Sequence, residues 1–563
     1  MSKGHFVENP SGQRVSLKSG RIKVGFHAWI FRVIALSGYA FLVGYMLYDG
    51  VRTSNWLGAY SFIAPLNGFL ILFFGWVFYR SPGYNMTETT NTPSRWIIAT
   101  PLISIIIPIY NQRTVITQVV EAVSVSTYKN IEIIAVNDGS IDNTGELLDK
   151  LVASGKYPKL KVIHQANGGK RKAVANGFYH AKGKFVMLID SDSIIDSHAV
   201  EEFMKAFLSD PKIGGAVGHV KVANAGKNWL TKFQDTWYDY SFNIAKSMEA
   251  HFGAVICISG CLAAYRREAI ERFMPFWSES TRIGEDKELT MYAFAPPKVK
   301  TQLESVFGEK FWVPTAQRFM ESAAAFDDSE DRSLSAHSII EWKNTYVASA
   351  LAYTEVPDVF KQFCKQQIRW MKSFVRTNLF LNTFYWKKPP FVAFHYYIQY
   401  LSTITMPLLT VINYVYVPFV LGNWIWSLTY LGATVLVAFA LGMDYKFRDP
   451  KSKYWYYHPF QLLFTSHFVT WLIFPALLTY KDRGWGTRKY GKKPTMTGSH
   501  FKPNSELLLA GTDTTYHHPL CKGHYNCKVC RNSTCSTIAG DESYKEYSVV
   551  CLKCHSVFVH QFE

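Results

Sequence analysis

Nine residues, Phe185 to Ser193 (FVMLIDSDS), restrict the fold of this chain more than any other stretch. Five apolar residues run without a break into Asp190-Ser191-Asp192. A short apolar run of this kind reads as a strand buried on both faces, with its carboxylates delivered at the end of the strand. In an open α/β sheet, ligands collect at those ends. Two carboxylates flanking one small residue suit a divalent cation that holds phosphate oxygens.

The preceding residues supply the rest of such a sheet. Leu102 to Ile109 is an apolar, β-rich run, and Thr114 to Ser126 has helical spacing. Ile131 to Val136 is a second strand, ending at Asn137-Asp138-Gly139-Ser140. A helix over Asp142 to Ala153, a strand over Lys161 to His164 and a helix over Lys172 to Ala181 lead into the acidic strand. This βαβα order predicts an α/β, Rossmann-like domain with a mostly parallel sheet covered by helices.

Long apolar stretches flank that domain. At 563 residues the chain has room for roughly three to four units. It is 48% hydrophobic, with a mean hydropathy of -0.02, which fits an enzyme domain joined to membrane helices better than a pure transporter. Residues 1–25 are basic. Phe26 to Tyr48 and Tyr60 to Tyr79 are each long enough to span a bilayer as a helix. The basic start places the N-terminus in the cytoplasm, and the hairpin returns the chain there at Arg80. A polar linker (81–100) leads to the catalytic domain (101–356), and an amphipathic stretch follows (357–390). Phe391 to Leu421 and Trp424 to Met443 then give two more spans (391–444). Phe460 to Tyr480 is apolar too, but Lys446, Arg448, Lys451 and Lys453 precede it, and Lys481, Arg483, Arg488, Lys489, Lys492 and Lys493 follow. Basic residues on both sides, with Pro475 inside, predict a broken segment that dips into or lies along the cytoplasmic face rather than crossing. The expected total is four spans and one interfacial segment (445–493), then a linker (494–516) and a small module (517–563). The net charge of +17 suits cytoplasmic loops, lipid headgroups or an anionic substrate. No stretch resembles a nucleic-acid-binding module.

Six of the nine cysteines lie between Cys521 and Cys554. Cys527 and Cys530, then Cys551 and Cys554, form two C-x-x-C pairs with 20 residues between them. That is the spacing of a four-cysteine zinc ribbon, whose closed site is structural. Cys521, Cys535, His524 and His555 are alternative ligands, and disulfides or idle thiols are the plain alternative.

Several turns bear on chemistry. Asp138 ends a strand, where its carboxylate suits a nucleoside or merely caps the next helix. Asn167-Gly168-Gly169-Lys170-Arg171-Lys172 opens a helix, with glycines for close approach and cations for a diphosphate. Asp286, in Gly284-Glu285-Asp286, stands at a loop–helix junction before a helix over Lys287 to Phe294, as a general base or an N-cap. Gln366-Gln367-Ile368-Arg369-Trp370 lies in a basic amphipathic stretch, where Arg suits a diphosphate and Trp a sugar ring. A surface helix lying on the membrane accounts for it as well.

In this order, NDGS, the glycine-lysine turn, DSD, GED and QQIRW resemble the processive family 2 glycosyltransferases, over roughly residues 25 to 490. QQIRWMKSFVR and Trp485-Gly486-Thr487-Arg488 look most like class I hyaluronan synthases. GED, NDGSIDNT and SGCLAAYRR look more like chitin or poly-N-acetylglucosamine synthases. The resemblance implies a GT-A-type fold and an inverting, processive transfer from UDP-sugar donors to a growing polysaccharide. That polymer would be extruded across the lipid bilayer through a channel of the same chain. It implies that Tyr110, Asp138, Lys170 and Asp190 hold the nucleotide and that Asp190 and Asp192 bind Mn²⁺ or Mg²⁺. Asp286 would be the base, Gln366, Arg369 and Trp370 would line the acceptor and diphosphate end, and Trp485 and Arg488 would belong to a loop closing over the nucleotide. Two departures stand out: an insertion over about 296–340, and the missing membrane helices that hyaluronan synthases carry after the tryptophan loop. A partner chain completing the channel, or docking on the zinc ribbon, is one expectation from the second departure. A non-processive transferase acting on a lipid carrier, and a silent membrane scaffold presenting the zinc ribbon, are the competing readings. The intact carboxylates speak against silence.

Overall fold

In a computed structural model of the protein, the described residues are 6–8, 14–16, 26–52, 63–79, 101–279, 284–294, 342–385, 390–450, 452–479, 535–539, 546–551 and 557–561. The chain divides into two compact units, Met1–Val306 with Ser333–Thr487, and Phe307–Arg332 with Arg488–Glu563.

The first unit opens with a short antiparallel hairpin, β1 (Phe6–Glu8) and β2 (Arg14–Ser16). Its centre is an eight-stranded sheet. In chain order the strands are β3 (Ile103–Ile109), β4 (Ile131–Asp138), β5 (Leu160–Gln165), β6 (Phe185–Leu188), β7 (Ser193–Ile195), β8 (Ile213–Val222), β9 (Ala263–Arg266) and β10 (Lys343–Thr354). Across the sheet they lie in the order β5-β4-β3-β6-β9-β8-β10-β7. The first four are parallel and follow the order of a dinucleotide-binding half, so the crevice at the ends of β3 and β6 is the topological switch point. β9 runs against both β6 and β8, β10 is parallel to β8, and β7 is antiparallel to β10. Six of the eight strands therefore point the same way, as a mostly parallel sheet requires.

The isoleucine-rich strands are buried throughout, because helices cover both faces: every residue of β4 is inside, and so is all of β3 except Pro108. The helix Lys170–His180 lies on β3 and β4, and Ala199–Ser209 on β8 and β10. Ile105, Ile107, Ile133, Met187, Phe203 and Leu262 share one core.

At its most informative point the sheet ends its strand just before the carboxylates, as the apolar run implies. The acidic stretch is not one strand: β6 stops at Leu188, Ile189 makes one last bond to Ile106, and the chain turns so that the Ser193 amide donates to the Asp190 carbonyl. It then re-enters the sheet at the far edge as β7. Asp190 and Asp192 thus ride on a turn, which frees their side chains from the alternation of a pleat. The SGCLAAYRR stretch contributes the antiparallel β9.

The helix Phe26–Arg52 covers the first expected span, and Trp424–Arg448 the fourth. The third begins as Pro390–Val411 and continues as π-helix over Ile412–Val420, where Pro418 interrupts the ordinary ladder. Of the second expected span only the helix Ile63–Val77 lies within the described residues. Within its described residues the Phe460 to Tyr480 segment is broken, as expected: a 3-10 turn at Val469–Leu472 separates the helices His458–His467 and Ile473–Leu478, and another at Trp455–Tyr457 leads into the first. Pro475 sits in the first turn of the last helix, where its missing N–H costs nothing. By length and apolar character alone, four described stretches can cross a membrane: Phe26–Arg52, Pro390–Val420, Trp424–Arg448 and Trp455–Leu478.

The second unit contains a three-stranded antiparallel sheet, β11 (Cys535–Ala539), β12 (Glu546–Cys551) and β13 (Val557–Gln561). Cys551 ends β12, with its backbone opposite Cys535. Cys527, Cys530 and Cys554, and with them the proposed zinc site, lie outside the described residues, as do the 296–340 insertion, Trp485 and Arg488.

Candidate active site

The site is assembled from loops at the C-terminal edge of β3, β4 and β6. Tyr110 follows β3 directly, and the next residue, Asn111, has a φ of 53°. That turn locks onto the loop after β4: the Asn111 amide donates to Ser140 Oγ (3.0 Å), and the Ile141 amide to Asn111 Oδ1 (2.9 Å).

Asp138 ends β4 and is buried. Burying a carboxylate is costly unless hydrogen bonds satisfy it, and here the glycine turn does so. Oδ1 accepts from the Gly168 amide (2.8 Å) and from Gln165 Nε2 (2.8 Å); Oδ2 accepts from the Gly169 amide (2.8 Å). Asn167 Nδ2 donates to the Asp138 carbonyl. Among the described residues, Asp138 therefore shapes the turn that delivers Lys170, and neither of its oxygens lacks a donor.

The helix begins at Lys170, two residues earlier than the spacing suggests, because Gly169 supplies the N-cap with a φ of 88°. Lys170 Nζ lies 2.6 Å from Asp190 Oδ1, 3.7 Å from Glu285 Oε1 and 4.0 Å from Asp286 Oδ1. Burial by itself would strip its proton, but Asp190, Asp286 and Glu285 outweigh that and hold its pKa well above the ordinary lysine value. One cation thus joins the acidic turn after β6 to the GED helix, two elements about a hundred residues apart in the sequence.

Asp286 is not the N-cap of that helix. The cap is Gly284, which bonds through no side chain, and the helix runs from Glu285 to Tyr292. The Asp286 carboxylate is free of capping duty and faces Lys170 and the Ser259-Gly260-Cys261 turn. A Cβ at Gly260 would come within 2.8 Å of both Asp286 Oδ1 and Lys170 Nζ, so glycine is what lets this turn approach. Burial is the largest influence on Asp286 and raises its pKa. Lys170 opposes the rise, Glu285 and Asp190 add to it, and the carboxyl is pushed up to about 6. Glu285 moves the other way: burial raises it, but Lys170, Arg171 and Arg369 outweigh burial and hold it below the usual carboxylate range. Two adjacent carboxyls driven apart in this way can take different tasks in acid–base chemistry.

The support of this pair is invisible in sequence. Arg171 Nη2 meets Glu288 Oε2 at 2.9 Å, its Nη1 donates to the Trp277 carbonyl (3.0 Å), and its guanidinium lies over the Trp277 ring. Trp277 Nε1 donates in turn to the Glu285 carbonyl (3.0 Å). The residues bracketing the catalytic candidates, Arg171 beside Lys170 and Glu288 after Asp286, bolt the two helices together. Nothing local in the chain marks them.

Asp190 and Asp192 are half-buried. Burial first, and then their charges, push the pKa of the Cys261 thiol well up; burial, Cys261 and the same two carboxylates do so for the Tyr238 hydroxyl, which puts both groups in the neighbourhood of the pair. Hard carboxylate oxygens without thiolate or imidazole ligands suit Mg²⁺ or Mn²⁺. Among the described residues no group of three or more His, Cys, Asp or Glu is arranged to hold a metal. A cation here would therefore take its remaining ligands from a bound diphosphate and water, the usual habit of Mg²⁺ at phosphate sites.

The QQIRW residues belong to the long helix Phe360–Tyr385. Trp370 stacks on Trp237, with ring centroids 5.4 Å apart and planes inclined by 21°. Arg369 is close enough to lower the pKa of both Glu285 and Tyr238. Gln366 presents a buried amide oxygen that has no donor among the described residues. The same helix presses on the GED turn: a Cβ at Gly284, whose φ is 109°, would collide with Ser373 and Thr377. Trp237 and Tyr238, on the helix Trp229–Asp239, are site residues that the motifs do not announce. Their only sequence signal is an aromatic cluster on an amphipathic stretch after β8.

The chain is similar in sequence to known glycosyltransferases. Residues 104–274 match the family model Glycosyl transferase family 2. An N-acetylglucosaminyltransferase of Azorhizobium caulinodans is 25% identical over 334 residues, covering 58% of this chain and 74% of the relative. Hyaluronan synthase of Streptococcus pyogenes is 25% identical over 392 residues, covering 69% of this chain and 83% of the relative. Human hyaluronan synthase 3 is 25% identical over 335 residues, and there the chain spans about half of the relative (51%).

Proposed function

We propose that this chain, a glycosyltransferase with a family 2 domain most like that of the hyaluronan synthases, polymerises UDP-sugars into a β-linked polysaccharide. It would do so processively and with inversion, and pass the product through its own membrane helices. The observation that carries this reading is the convergence of Asp190, Lys170 and Asp286, with Lys170 Nζ within 4.0 Å of both carboxylates. In one displacement, the leaving diphosphate needs positive charge on one side of the sugar while the attacking hydroxyl loses its proton on the other.

Asp190 and Asp192 would hold Mn²⁺ or Mg²⁺, which supplies charge neutralisation for the leaving diphosphate. Lys170 adds a second positive charge at the same edge, and Tyr110 and Asp138, at the ends of β3 and β4, would hold the nucleoside beside it. Asp286 accepts the proton of the acceptor hydroxyl, and its raised proton affinity suits that task. The Trp370–Trp237 stack offers a flat apolar face to the acceptor sugar, with Gln366 and Arg369 beside it to bond the saccharide and the diphosphate. Trp485 and Arg488 would close over the bound nucleotide.

A hyaluronan-type product, from UDP-N-acetylglucosamine and UDP-glucuronate, is the first reading. A polymer of N-acetylglucosamine alone is the second, favoured by GED in place of paired aspartates and by the similarity to an N-acetylglucosaminyltransferase. Purified protein supplied with Mn²⁺ and labelled UDP-sugars, singly and together, separates them once the product is digested with linkage-specific hydrolases. Product that needs both donors supports the first reading, and product from UDP-N-acetylglucosamine alone replaces it with the second. Lipid-bound short sugars as the sole product would remove processivity. In each case Asp192→Asn is expected to abolish transfer without loss of membrane insertion.

A further inference from the structure

Four charged side chains are buried where the membrane helices meet the catalytic domain, and none of them belongs to a motif of the site. Arg32, in the second turn of Phe26–Arg52, donates through Nε to Asp444 Oδ1 (2.6 Å). Arg448, one turn beyond Asp444 on Trp424–Arg448, donates through Nε to Asp444 Oδ2 (2.6 Å). Its other two nitrogens form a fork on Asp239, Nη1 reaching Oδ1 at 2.8 Å and Nη2 bonding Oδ2. These side chains are 0 to 5% exposed. Two arginines and two aspartates leave the ladder neutral.

A buried ion pair gives little net stability over an apolar pair of equal volume, because desolvation consumes the Coulombic gain. What such a ladder does give is a single geometry, since a bidentate fork has a fixed plane and length. Asp239 is the last residue of the helix Trp229–Asp239, immediately after Trp237 and Tyr238. Trp237 stacks on Trp370, and the charges of Asp190 and Asp192 are felt at Tyr238. Beyond Asp239 the helix takes π form over Tyr240–Ile244, an irregularity common at functional sites. Asn243, inside it, donates to Asp239 Oδ1 and to Tyr79 Oη (3.3 Å each). Asp239 is thereby held from the membrane helices and from its own helix at once.

We propose that the Arg32–Asp444–Arg448–Asp239 ladder is a positioning device, which fixes the Trp237–Trp370 platform relative to the membrane helices so that an acceptor, rather than water, meets the activated sugar. Asp239 and Arg448 are positioning residues: they act through Trp237 and not on the donor. The inference rests on the reading of Trp370 as an acceptor surface.

The test is the fraction of cleaved donor sugar that is recovered on an acceptor instead of as free sugar, with UDP affinity measured alongside by calorimetry. Asp239→Asn and Arg448→Met are each expected to lower that fraction on the order of tenfold, as small misplacements do, while UDP affinity stays within about twofold. Arg448→Lys, which keeps the charge but loses the fork, falls between them and the wild type. The paired variant Asp239→Asn with Arg448→Met restores charge balance and folded yield, and still transfers poorly. Full recovery of transfer in the pair would overturn the proposal and leave the ladder a matter of charge balance. Unchanged fractions in the single variants, or UDP affinity falling in step with transfer, would overturn it as well. If the wild type yields only lipid-bound single sugars, the polymer reading falls, and the same fraction still decides the role of the ladder.

Discussion

A carboxylate that takes a proton from a sugar hydroxyl works best when its own proton affinity lies near the working pH. Asp286 meets that condition because burial and two carboxylate neighbours outweigh Lys170, which places it at about 6. The role proposed for Asp286 needs its ionised form. Transfer should therefore be intact above the raised pKa and be lost as the pH falls through about 6, with the acid limb appearing in kcat/KM, which reports the free enzyme. Asp286→Asn should remove the limb together with roughly 10²- to 10⁴-fold of the rate. An acid limb that survives unchanged in residual Asp286→Asn activity would assign the proton transfer elsewhere. Asp138 shows how one residue type does other work nearby. It is as buried as the strand before it, and it accepts from the amides of Gly168 and Gly169 and from Gln165 Nε2, so its observed work is to shape the glycine turn that carries Lys170.

At the scale of elements, the chain is most legible where the signal is local. The apolar runs of β3, β4 and β6 predict their strands, and the glycine pair before Lys170 predicts a helix start. The strand under the apolar run ends at Leu188, and its carboxylates follow on a turn as the run implies; the short edge strand Ser193–Ile195 that comes next has no such local signal. The antiparallel β9 is missed because its small, mixed residues carry no alternation. What no local pattern contains is the pairing of distant charges. Arg171 meets Glu288 across 117 residues, and both look like ordinary solvated charges until the helices are packed. That pairing predicts a measurable cost. Arg171→Met leaves Glu288 buried without its partner, which should destabilise the detergent-solubilised protein by about 3–5 kcal/mol and lower its apparent Tm. Removing both charges, with Arg171→Met and Glu288→Leu together, should recover most of the loss. Equal melting of the single variant and the wild type would mean that the bridge contributes nothing to the packing of the two helices.

For the whole molecule, the open matter is how the chain sits in a membrane, and the broken segment Trp455–Leu478 decides it. By length and apolar character it could cross. Its packing speaks for lying at the catalytic side. Phe464 meets Trp229, Phe233, Phe360 and Phe363 edge-on or tilted, all from helices that belong to the catalytic domain and its amphipathic extension. Leu230, Phe363 and Val469 form one small core there. Elsewhere on the segment Phe460, Trp471, Phe474 and Leu478 are exposed. Packing against the catalytic domain together with a break at Val469–Leu472 fits a segment that lies in the headgroup region. The ladder sets the reference side, since it joins the start of Phe26–Arg52 and the end of Trp424–Arg448 to Asp239. With the basic flanks of the segment added, single cysteines introduced beside Lys446 and beside Lys481 in a background lacking reactive native thiols should both be labelled by an impermeant reagent from the cytoplasmic side only. Labelling of the second position from outside would make the segment a true span and put the loop carrying Trp485 and Arg488 on the wrong side of the membrane to close over a cytoplasmic nucleotide.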